Sequence, residues 1–75
     1  MSKFDVGDII GYEENPEFQY YIIKDVGDKV YIIKEFGSNG WVEEIEEIDD
    51  NYIKIGEITE DNILRWLLND YIRTL

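Results

Sequence analysis

Two stretches of this chain are near copies of each other: Tyr20-Tyr21-Ile22-Ile23-Lys24-Asp25-Val26-Gly27-Asp28 is echoed ten residues later by Val30-Tyr31-Ile32-Ile33-Lys34-Glu35-Phe36-Gly37-Ser38. Each is a β-branched and aromatic run closed by a glycine, which is the composition of a strand. The spacing is too short for a solenoid unit and right for the two arms of a hairpin. Gly27-Asp28 suits a two-residue type II′ turn with glycine at its first central position. That turn sets Ile23 opposite Ile32 and Ile22 opposite Ile33. Both faces of the hairpin are then partly apolar, so one can line a core and the other needs a cover.

The rest of the chain supplies partners for this hairpin. Gly7-Asp8 is a turn signal, and the run after it predicts a first strand over about 8–12. Glu13-Glu14-Asn15-Pro16-Glu17 reads as an exposed loop. Gly37-Ser38-Asn39-Gly40 is a turn, and Trp41-Val42 starts a further strand. The apolar positions 42, 45 and 48 then repeat at three, which predicts a strand ending in a helical turn or a bulge. Asn51-Tyr52-Ile53-Lys54-Ile55-Gly56 alternates as a last strand stopped by its glycine. From Thr59, which suits an N-cap, apolar residues recur at helical spacing and predict an amphipathic helix over about 60–73. Leu64, Leu67, Leu68 and Tyr71 are expected to dock it on the second face of the hairpin.

The opening Phe4-x-Val6-Gly7-Asp8-x-Ile10, four short strands, and Trp41 near the start of the fourth resemble the SH3-like small barrels of short bacterial and phage proteins. The resemblance covers about residues 3–56. It implies an α+β, mostly β chain: one domain over 1–75, made of a five-stranded SH3-like barrel and an added C-terminal helix. It implies a fold and not an activity.

Composition narrows the function classes. The chain has neither Cys nor His, so it can form no disulfide and no thiolate or imidazole metal site, and it lacks the commonest general base. A chain of 75 residues also leaves little room for a substrate cleft. We therefore expect no catalytic residue, no cofactor and no metal. Asp49-Asp50-Asn51 begins like a calcium loop, but Tyr52-Ile53-Lys54 breaks the oxygen pattern. No apolar run approaches the ~18 residues of a membrane span, and Met1-Ser2-Lys3-Phe4-Asp5 lacks the features of a signal peptide, so a soluble, cytoplasmic chain without membrane contact is expected. With 44% hydrophobic and 15% aromatic residues the chain can form a core, so its net charge of −11 belongs to a folded surface. Such a field repels nucleic acid, which argues against direct binding.

Three constellations remain. Glu43, Glu44, Glu46, Glu47, Asp49 and Asp50 follow one another without a base among them; Glu13, Glu14 and Glu17 form a second acidic group. Lysines 24, 29 and 34 and arginines 65 and 73 sit mostly elsewhere. The acidic runs either mimic a row of phosphates or form a solvated rim that keeps the chain soluble. Among the aromatics, Tyr12, Phe18 and Trp41 are the candidates for an exposed patch, and Tyr20, Tyr21, Tyr31 and Tyr52 read mainly as core. An aromatic patch ringed by carboxylates favours a basic protein partner. In size and charge the chain resembles the small acidic phage proteins that inhibit host defence or transcription enzymes. The expected function is thus an acidic protein-binding module, phage-encoded, that occupies the basic nucleic-acid-binding surface of a host enzyme by nucleic-acid mimicry. The alternative is a self-associating or scaffold-binding adaptor without mimicry, with a monomer or weak homodimer in solution.

Overall fold

The computed structural model describes residues 2–16, 19–35 and 38–74, with backbone alone at 73 and 74. In chain order its elements are β1 (Asp8–Tyr12), β2 (Tyr20–Val26), β3 (Val30–Lys34), β4 (Trp41–Glu44), α1 (Ile45–Asn51), β5 (Tyr52–Glu57) and α2 (Ile63–Thr74). The strands make one antiparallel five-stranded sheet in the order β4-β3-β2-β1-β5, so the fold is a small, mostly-β α+β domain with a C-terminal helix.

The turn before β1 shows why Val6-Gly7-Asp8 opens the fold. Gly7 takes φ +91°, a left-handed backbone that suits glycine. Its N–H donates to the Ile23 carbonyl (2.8 Å), and its own carbonyl accepts from the Ile58 N–H (2.8 Å). Asp8 is buried, accepts the Asp5 N–H at 2.9 Å and pairs with Lys54 Nζ at 3.2 Å. One short turn thereby ties β1 to β2 and to the chain after β5.

The hairpin forms, but in a different register from the one a tight turn would set. Ile23 pairs with Ile33 and Ile22 with Lys34, and the register shifts between Ile23 and Asp25. The loop holds Gly27, Asp28 and Lys29, closed by the Gly27 N–H donating to the Val30 carbonyl (2.8 Å), and Gly27 does not have the positive φ of a type II′ turn. A bulge places one extra residue in β2, which moves the strict alternation by one position.

Phe4, Ile10, Ile23, Tyr31, Ile33 and Ile48 form the main core, with Tyr21, Val26, Ile45 and Tyr52 packed against it. Ile45 and Ile48 are the apolar positions spaced by three, and they turn inward because the chain after β4 is helical there. The first turn of α1 carries Glu46 and Glu47 at the positive end of its dipole, and the Asn51 amide donates to the Glu47 carbonyl (2.8 Å). Inside this core the Tyr31 hydroxyl donates to Asp49 Oδ1 (2.6 Å) and accepts the Phe4 N–H (3.1 Å). Burial, then the bond to Asp49, pushes the Tyr31 phenol above its ordinary value.

The helix α2 forms but does not dock as its periodicity suggests. Leu64, Leu67, Leu68 and Tyr71 are exposed, whereas the half-buried positions are Asn62, Trp66 and Asp70, spaced by four. The anchor is Trp66, whose indole lies over Gly56 and meets the Tyr20 ring at 5.9 Å. Gly56 accordingly does not stop β5, which runs on to Glu57; it gives the indole its seat. Nor does Thr59 cap the helix, which starts at Ile63. The turn before it is closed by Asn62, whose side chain accepts the Thr59 N–H and donates to the Glu57 carbonyl, both at 2.8 Å. Among the described residues no helix is long and apolar enough to cross a membrane.

Candidate functional site

Register assembles an aromatic groove on the α1 side of the sheet. The β1–β5 ladder sets Tyr12 opposite Tyr52, and their rings meet edge to face with centroids 5.5 Å apart. The β3–β4 ladder sets Trp41 opposite Ile33. Tyr21, on β2 between these pairs, reaches both: its ring lies 5.3 Å from Trp41 and 6.0 Å from Tyr52. Ile33 and Ile48 form an apolar floor, and Glu43, Glu47 and Asn51 complete the walls around a cavity of about 390 Å³.

Glu43 has a defined position because its Oε1 accepts the Trp41 indole N–H at 3.0 Å. Glu47, in the first turn of α1, is exposed at the rim. Burial, the neighbouring Tyr21 phenol and the charge of Glu43 together raise the Tyr52 phenol above its ordinary value, with smaller contributions from Tyr12 and Glu47. The groove is thus apolar at its base and negative at its mouth.

The acidic residues expected from the sequence divide among several tasks. Glu44, Glu46 and Asp50 are exposed on β4 and α1 beside Glu47, and form a negative band. Asp49 lines the same depression as Glu44, Glu46 and Asp50 but is half-buried and bonded inward. Its carboxylate accepts the Tyr31 hydroxyl and the Lys3 N–H (3.1 Å), so it fixes α1 and the N-terminal segment to the core. Charge is also less segregated than the sequence suggests, because Lys29 lines the depression that holds Glu44, Glu46 and Asp50. Glu13 and Glu14 are exposed, and the Glu13 N–H donates to the Asn51 carbonyl (2.9 Å), which draws the second acidic group to the end of α1. Glu17 and Phe18 lie outside the described residues.

Of the aromatic candidates, Tyr12 and Trp41 both line the groove, and Trp41 is exposed. Tyr21 and Tyr52, which read as core, are half-buried and supply the other two walls. Only the strand order brings them together. Among the described residues no three acidic side chains converge in a way that could hold a metal ion. Compared with family models, with curated proteins and with solved structures, the chain matches none.

Proposed function

We propose that this protein is an acidic SH3-like binding module that occupies the basic, nucleic-acid-binding surface of a partner protein and blocks it. It acts by binding and not by catalysis, in the cytoplasm, and for a phage-encoded chain the partner is a host enzyme. The observation that carries this reading is a run of exposed carboxylates on β4 and α1, Glu44, Glu46, Glu47 and Asp50, of which Glu47, together with Glu43, also lines the aromatic groove. Exposed acids alone would serve solubility. Joined to an apolar, partly open pocket, they form a surface with charge at its rim and contact area at its centre, as a protein interface requires.

The SH3-like reading rests on the strand order and on the short helix between β4 and β5. Ring contacts across the sheet add support. Trp41 and Tyr52 stand on strands two places to either side of β2, which in a flat sheet are roughly 10 Å away. Their rings nonetheless reach Tyr21 within 5.3 and 6.0 Å, as a sheet curled toward this face would allow. Register shifts at Ile9/Ile10 and Ile23/Asp25 are places where strands bend.

The test is capture from bacterial lysate by the wild-type chain and by a variant carrying E44Q, E46Q, E47Q and D50N. A nucleic-acid-handling protein that the wild type retains, that salt or duplex DNA releases, and that the variant fails to hold supports the proposal. Retention that is indifferent to salt, to DNA and to the substitutions refutes it.

A second reading, self-association, is favoured by the outward face of α2, where Leu64, Leu68, Tyr71 and Ile72 are each more than half exposed. A second copy packing along α2 would cover them. Trp66 is not available for that interface, since it lies on Gly56. Sedimentation decides this reading: a stable dimer abolished by L64E/L68E supports it, and a monomer at every concentration rejects it.

A further inference from the structure

The walls of the groove stand at steep angles to one another. Tyr21 and Trp41 are inclined at 85°, Tyr12 and Tyr52 at 77°, and Tyr21 and Tyr52 at 51°. None of these three contacting pairs is parallel, so they do not form the two facing walls of a slot. A planar guanidinium stacks best between or on parallel faces, whereas a compact, rounded cation meets ring faces from several directions at once. Glu43 and Glu47 put negative charge at the mouth, and no lysine or arginine is among the described residues that line the cavity. Burial first, then the Tyr21 phenol, raise the Tyr52 phenol, and the charge of Glu43 adds to both.

We propose that this groove is a receptor for an alkylammonium head group, the side chain of a lysine, free or N-methylated, on a basic partner segment. The aliphatic stem lies on Ile33 and Ile48, the ammonium faces the rings of Tyr21, Trp41 and Tyr52, and Glu47 at the rim balances the charge. This rests on the reading of the protein as a binder of basic partners, and it names the residue type that the groove selects. A cavity of about 390 Å³ is at the small end of ligand sites, which suits one side chain and not a folded element.

The test is an NMR titration of the labelled protein with four probes: N-acetyl-lysine methylamide, its Nε-trimethyl derivative, and the arginine and norleucine counterparts. Both lysine compounds are expected to shift the Trp41 indole N–H and the amides of Glu43, Glu47 and Tyr52, with arginine weaker by severalfold and norleucine without effect. Tighter binding of the trimethyl compound assigns the source as methylated lysine, and the reverse order assigns the unmodified residue. Trp41→Ala, at an exposed edge position, is expected to weaken either by at least tenfold, and Glu47→Gln by severalfold. Equal binding of norleucine, preference for arginine, or shifts confined to residues outside the groove overturn the proposal. Heptalysine, titrated in parallel at low salt, separates the two levels. If it binds the acidic band while the single head groups leave the groove untouched, the receptor inference fails and the acidic-module reading stands; if heptalysine also fails to bind, both fall.

Discussion

The indole of Trp66 lies over Gly56 so closely that a Cβ at position 56 would overlap it. This contact joins α2 to the sheet, and it accounts for the glycine within β5. Gly56→Ala is therefore expected to displace the indole and release α2. In a Trp41→Phe background, fluorescence of the remaining tryptophan should shift to the red and quench more readily. Unchanged emission would show that the helix has another anchor.

The hydroxyl of Tyr31 is buried between Asp49 and the Phe4 amide. Tyr31→Phe leaves the Asp49 carboxylate and that N–H without this partner, and should destabilise the fold by about 2 kcal/mol in denaturant unfolding. A loss below about 0.5 kcal/mol would mean that water replaces the hydroxyl.

Stability should also fall in alkali. The Tyr31 and Tyr52 phenols are raised above 10.0 in the folded chain, so between the unfolded and folded values the folded state holds more protons. Their contribution is present below pH 10.0 and is lost as pH rises through the folded values. Lys54, raised above 10.5 first by its hydrogen bond to Asp8 and then by that residue's charge, loses its contribution in the same direction. Chemical unfolding across this range should show a declining limb that is shallower in Tyr31→Phe. A limb of the same slope in the variant would assign the decline elsewhere.

Asp8 is 6% exposed and holds both the Asp5 amide and Lys54. Asp8→Ala should cost about 2 kcal/mol, whereas Lys54→Ala, at the half-exposed end of the pair, should cost under about 1 kcal/mol. Equal losses in the two variants would show that the ion pair matters and that the turn does not.

The strands, α1 and α2 were legible because each rests on a local signal: β-branched runs, glycine turns, and apolar spacings of two, three or four. Their relations to one another were less so. The bulge near Asp25 leaves no mark in the residues around it, and it shifted the hairpin by one position. The periodicity of α2 identifies an apolar stripe but not what covers it, and a single large ring fitted to one glycine decided the docking instead. At the groove, Tyr12 and Trp41 stood out because they flank a loop and a turn. Tyr21 and Tyr52 did not, because their meeting depends on β1 lying between β2 and β5, a pairing set by residues far apart in the chain. Asp49 looked like its acidic neighbours, and only its half-buried position on α1, facing Tyr31, separates it from them.

The central claim is that the face formed by β4, α1 and the aromatic groove is the one that meets a basic partner. Amide shift mapping with heptalysine tests it directly. The largest shifts are expected on Trp41, Glu43, Glu44, Glu46, Glu47, Asn51 and Tyr52, and they should vanish at high salt. Shifts of similar size spread over the whole surface, or centred on α2, would contradict it.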